Sequence, residues 1–281
     1  MVARLTLGLQ IPSIGFDRIR WVIAVPLAIA CILISPKLGG LESAAIVAIG
    51  VAATISGIAG IAFSPICGAM LLHLVPNGLH AFQLMLLCSI ANQATSIWSL
   101  RRDIDWRSLR VFLLGSMFGL PIGLAILANV DRGLFAHAFG VSIVVYGAYV
   151  LLRRPVTHVR PNSIAGDMLT GFLGGITGGA AAFPGGPMAI RCASLGWDKA
   201  RQRGVTQPFI LATQIVALFA VVVLGRSHTL DATLRPADLL CIPVSILGTA
   251  VGLLIFRRLS NGQFVKALNA GLIATGICYL L

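Results

Sequence analysis

Acidic side chains are scarce in this chain. Nine Asp and Glu stand against 21 Lys and Arg among 281 residues, and only 11% of the residues carry charge. A water-soluble domain carries about a quarter charged residues, so an ordinary soluble surface is excluded. Catalysis inside so apolar a chain would need a nucleophile with its base, or grouped metal ligands. No G-x-S-x-G occurs, and His73, His80 and His137 do not stand at metal-ligand spacings. A G-x-x-x-x-G-K-[ST] phosphate loop is also missing, which removes an ATP-hydrolysing site of that type. The chain therefore reads as no enzyme, with no cofactor and no metal expected. Cys31, Cys67, Cys88, Cys192, Cys241 and Cys278 are scattered with no C-x-x-C pair, as small core residues are. No stretch alternates as a barrel strand does.

What the chain has instead is apolar length. Hydrophobic residues make up 57% of it, and the mean hydropathy is +0.93. Several runs approach or exceed the roughly 18–20 residues that cross a bilayer as a helix. The composition predicts an all-α integral membrane protein. The net charge of +12 sits in short clusters between apolar runs. Such clusters act as topology determinants rather than as a nucleic-acid surface. The lipid bilayer is the expected partner, nucleic acid is not, and a homodimer is left open.

The stretch Gly171 to Pro187, GFLGGITGGAAAFPGGP, interrupts this pattern with seven glycines and two prolines. Proline removes a backbone donor and glycine loosens the chain, so this cannot be one uninterrupted helix. Broken backbone at membrane depth must be buried in protein or line a wet cavity. Gly171, Gly175 and Gly179, four apart, also suit close packing of two helices. The Phe183–Pro187 end reads as the functional break. A similar interruption occurs at Ser56–Gly60 and Ser64-Pro65.

The two halves repeat each other. A shift of 118 residues puts Gly57 on Gly175, Gly60 on Gly178 and Gly78 on Gly196; a shift of 129 puts Gly119 on Gly248 and Gly123 on Gly252. Residues 1–42 are expected to form an N-terminal segment with an extra transmembrane helix at Trp21–Ser35. Residues 43–155 form a first repeat and 156–281 a second. Each repeat is expected to hold a broken re-entrant helical hairpin followed by three transmembrane helices. If each broken segment returns to its own side, the basic clusters at Arg101–Arg110, Arg153–Arg160, Lys199–Arg203 and Arg257–Arg258 all face the cytoplasm, and the repeats are inverted.

The repeated pattern resembles the TauE/SafE sulfite exporter family. In the second half Gly175-Ile176-Thr177-Gly178-Gly179-Ala180-Ala181-Ala182, then Pro187 and Gly196, fit its Gly-rich opening followed by Pro and Gly. In the first half Gly57, Gly60 and Gly78 fit, while Phe63, Ser64 and Ala69 depart from it. Arg101-Arg102-Asp103-Ile104-Asp105-Trp106 matches the family's basic loop. The resemblance implies export of a small anion, such as sulfite or a sulfonate like sulfoacetate, across the bacterial inner membrane.

Candidate ligands for such an anion follow from the apolar setting. Arg191 lies about one turn past Pro187, and the 118-residue shift places His73 at the matching point of the first hairpin. Both could bracket an anion near the midplane, or Arg191 could snorkel to the headgroups. Asn92, Gln93 and Thr95 in one half, with Gln207, Thr213 and Gln214 in the other, supply neutral donors. Gly57, Gly60, Gly178 and Gly179 would let backbone approach the substrate. A passive anion channel with the same fold, or a structural membrane subunit, remains a rival reading.

Overall fold

The computed structural model describes residues 43–75, 78–101, 104–129, 163–227 and 235–260, with single positions at 140, 141, 144, 262 and 263. Eight α-helices occupy them: α1 (Ser43–Ala59), α2 (Phe63–Leu74), α3 (Gly78–Leu100), α4 (Trp106–Asn129), α5 (Ile164–Ala181), α6 (Gly185–Ser194), α7 (Lys199–Ser227) and α8 (Cys241–Arg258). A 3-10 turn, Pro236–Leu240, leads into α8. Among the described residues there is no strand. The expected N-terminal helix, the last span at Phe264–Leu281 and nearly all of the span at Leu134–Leu152 lie outside the described residues.

Three segments, Trp106–Asn129, Lys199–Val223 and Asp238–Arg258, are long and apolar enough to cross a membrane. The surface of the bundle agrees with that setting: large apolar side chains are exposed while polar ones are buried beside an apolar core. Leu114, Met117, Phe118 and Ile122 on α4, and Ile215, Val216 and Phe219 on α7, are exposed. Ser89, Asn92, Gln93 and Ser96 on α3 and Thr206, Gln207, Thr213 and Gln214 on α7 are buried. Water would drive those apolar side chains inward; lipid lets them face outward, while Asn92 and Gln214 hydrogen-bond across to neighbouring helices.

Two glycine seams hold the bundle. A Cβ added to Gly115, Gly119 or Gly123 on α4 would collide with the carbonyls of Met168, Phe172 and Ile176 on α5. Gly171, Gly175 and Gly179 face back onto the Phe112, Ser116 and Leu120 carbonyls. The second seam joins α1 to α8: Gly57 lies against Thr249 and Gly252, and Gly248 lies against Gly50. In both seams residue numbers rise together, so each pair runs parallel. The evenly spaced glycines upstream of the second break thus pack helices.

Direction follows from these pairs. Arg201 on α7 pairs with Asp105 ahead of α4 at 3.2 Å, Arg257 on α8 bonds Ser99 at 2.9 Å, and Lys199 bonds the Leu259 carbonyl. Three basic clusters therefore meet at one end of the bundle, where α4 starts and α8 finishes. Helix α5 starts at that end beside α4, and α1 starts at the opposite end beside the start of α8. The two broken segments enter from opposite ends.

The breaks themselves are alike. Helix α1 stops at Ala59 because Gly60 turns to φ +87, its N–H bonding the Ser56 carbonyl at 2.6 Å. Helix α5 stops at Ala181 because Ala182 turns to φ 51. Each break spans three residues, and each returning helix carries proline at its third position, Pro65 on α2 and Pro187 on α6. There a missing N–H costs nothing, since the first turn has no acceptor for it. The matching positions are 122 residues apart, one helical turn beyond the 118 expected from the sequence.

Candidate substrate site between two helix breaks

The two breaks meet. A Cβ on Gly185, at the start of α6, would stand 3.0 Å from Ile61 in the first break. The side-chain amide of Gln214 ties them together, donating to Ser64 Oγ at 3.2 Å and to the Ala182 carbonyl at 3.0 Å. Its Oε1 is buried and accepts no hydrogen bond among the described residues. Asn92 reaches the first arm just before its break, donating to Ser56 Oγ at 2.9 Å, while its carbonyl accepts from Thr249 on α8 at 2.9 Å. Gln93 is buried, and its Oε1 has no partner among the described residues. Thr213 and Thr95 bond back to carbonyls one turn earlier on their own helices.

The glycines named in the sequence divide by role. Gly60 makes the left-handed turn of the first break and lies against Arg203. Gly178 faces Pro184 of the second break, its added Cβ meeting the proline Cβ at 3.1 Å. Gly57 and Gly179 belong to the two seams. What gathers here is broken backbone, short neutral side chains and one buried guanidinium.

That guanidinium belongs to Arg203, which sequence reading left among the topology-setting loop cations. It is 2% exposed. Its Nη1 donates to the Gly57 carbonyl at 3.1 Å. Gln207, with its amide oxygen turned toward the guanidinium, accepts from Nε at 2.9 Å and from Nη2 at 2.6 Å. The plane lies 4.1 Å over the Phe256 ring. The signal was spacing: Arg203, Gln207 and Gln214 recur at four and seven residues, on one face of α7.

The description of the family model that matches the chain is "Sulfite exporter TauE/SafE", and it covers residues 45–279. The chain belongs to the TauE/SafE sulfite exporter family. No curated protein and no solved structure matches it.

The TauE/SafE assignment makes the surroundings of Arg191 informative. Its Nε donates to Asp167 Oδ1 at 2.8 Å and its Nη2 to the Ser163 carbonyl at 3.2 Å. Asp167 sits in the first turn of α5, where the helix dipole favours a carboxylate. Arg191 thus reaches back along α6 to the start of α5, with its charge met by a carboxylate that is 4% exposed. Asp167 and Asp238 are both buried, the latter paired with His80 at 2.9 Å at the opposite end of the bundle. His73 lies on α2; its side chain lies outside the described residues. With the breaks aligned at 122 residues, its counterpart is Leu195, and Arg191 falls opposite Ala69.

Proposed function

We propose that this chain is a secondary transporter that carries a small oxyanion, sulfite or a sulfonate such as sulfoacetate, outward across the bacterial inner membrane. The single observation that carries the reading is the junction of the two breaks, Ile61 against Gly185 with Gln214 bonded to Ser64 and to Ala182. Broken helices that converge inside a bundle are where transporters of inverted-repeat architecture bind substrate. Opposite entry of α1 and α5, their matched three-residue breaks and the paired seams support two inverted repeats. Parallel packing of α4 on α5 requires the intervening chain to recross, which the apolar run at Leu134–Leu152 is long enough to do. The gathering of three basic clusters at one end supports that end as cytoplasmic.

Substrate chemistry follows from the lining. Asn92 keeps one amide N–H beyond its bond to Ser56, and a neutral donor of this kind orients an oxyanion without trapping it, whereas both N–H groups of Gln214 are taken by Ser64 and Ala182. Strong permanent pairing would slow release. Arg191, met by Asp167, orders the returning arm against the start of α5. An inside-negative potential pushes an anion outward by about 2.3 kcal/mol per charge per 100 mV, so export can run on the potential alone.

Purified protein in liposomes, loaded with unlabelled sulfite and given labelled sulfite outside, tests the reading. A carrier exchanges label for internal substrate and saturates with concentration. Flux that rises linearly without exchange would show a passive channel.

A further inference from the structure

We infer that Arg203 is the positive charge that receives the transported anion, with Gln207 and the Gly57 carbonyl holding its guanidinium in readiness. The inference rests on the oxyanion-transport reading above and names the residue that reading lacks. The argument begins with charge. A buried guanidinium is costly unless a carboxylate or a bound anion meets it. The chain contains only nine acidic residues, four of them described. Asp105 pairs with Arg201, Asp167 with Arg191, and Asp238 with His80. Asp198 accepts from the backbone N–H groups of Ala200 and Arg201. Among the described residues, none of these carboxylates pairs with Arg203.

The partners Arg203 does have are neutral and weak enough to exchange. A carbonyl at the C-terminal end of α1 offers partial negative charge, and the Phe256 face offers some more. Together they hold the cation without neutralising it. Guanidinium has five N–H donors in a planar fork suited to two oxygens of one oxyanion. Three of the five are engaged, by Gly57 and Gln207. Position supports the role as well. Gly60, the turning residue of the first break, lies 3.0 Å by an added Cβ from Arg203 Nε. A bound anion here would contact the element whose bending distinguishes this helix from a continuous span. A purely structural reading, in which Arg203 only caps α1, accounts for one of its hydrogen bonds and leaves the charge without a counter-ion among the described residues.

The test is Gln207→Glu, which keeps the shape and the oxygen that accepts from Arg203 but supplies the guanidinium with a permanent counter-ion. Melting of the purified protein in detergent is followed against sulfite and methanesulfonate, with chloride at equal ionic strength as control. Wild-type protein should be stabilised by the oxyanions, and Gln207→Glu should fold while losing that response, with the half-saturating concentration raised at least about tenfold. Arg203→Lys, which keeps charge without the fork, should bind the same anions more weakly. If Gln207→Glu fails to fold, the Lys variant carries the test: an unchanged response there overturns the inference. An unchanged response in Gln207→Glu overturns it equally. If wild type exchanges sulfite in liposomes while both variants respond as wild type does, only the Arg203 role falls. If wild type neither exchanges nor is stabilised by any oxyanion tested, the transport reading falls with it.

Discussion

Gln214 and Ala182 are joined by a 3.0 Å hydrogen bond from the side-chain amide of α7 to the first carbonyl of the second break. The same amide reaches Ser64 at the start of α2. One side chain thus satisfies backbone freed in one hairpin and a hydroxyl in the other. Replacing Gln214 with Leu strands the buried Ala182 carbonyl, a loss of about 1–3 kcal/mol. The variant should melt lower in detergent and exchange sulfite at least about tenfold more slowly, each 1.4 kcal/mol of lost transition-state stabilisation being a factor of ten. Unchanged exchange would remove the junction from the transport path.

The glycine seams give a sharper stability contrast. Gly119→Ala drives a methyl into the Phe172 carbonyl, and backbone cannot step aside as a side chain can. Overpacking of this kind costs about 1–3 kcal/mol or more. Gly262→Ala meets nothing within 4 Å and should be silent. Thermal melting of the two variants side by side checks the seam, and equal melting would refute it.

Arg191 and Asp167 form a pair whose function a double-mutant cycle can separate. Arg191→Gln leaves Asp167 buried without its cation, a loss of about 3–5 kcal/mol. Adding Asp167→Asn removes the stranded charge and should restore most of the stability. If the pair only orders the hairpin, sulfite exchange returns with stability in the double variant. If Arg191 itself grips substrate, exchange stays lost although the protein folds.

At the basic end, Asp105 is held below its ordinary value of 3.8: partial burial alone would raise it, but hydrogen bonds from Ser108 and the charge of Arg201 prevail. A depressed carboxyl stabilises fully above its unfolded value and loses that contribution as pH falls through the folded one. Asp105→Asn should therefore lower the melting temperature slightly at neutral pH, with the difference closing as pH falls below about 4. The effect is small, because Arg201 is half exposed. A difference that grows in acid would reverse the sign and refute the account.

Much of this arrangement is legible in the sequence. Glycine and proline mark both breaks to within a few residues, and the basic clusters mark one end of the bundle. The register of the hairpins is not legible, and the reason is the seam itself. Gly171, Gly175 and Gly179 recur every four residues, so sliding one half by a turn still lays glycine on glycine: Gly57 matches Gly175 at 118 and Gly179 at 122. The left-handed turns at Gly60 and Ala182, and the prolines at Pro65 and Pro187 that follow them, separate the two registers. That slip put His73 opposite Arg191. Arg203 stayed hidden for a different reason. An arginine one turn inside a helix reads as a loop cation until the helix beside it is known to end at Gly60.

The central claim is that a small oxyanion crosses at the junction of the breaks, driven by the membrane potential. Liposomes containing the purified protein, loaded with labelled sulfite and given an inside-negative potential, measure it most directly. Release should accelerate when the potential is imposed and slow when it is collapsed. Release no faster than from protein-free liposomes, or release that ignores the potential, would contradict the account.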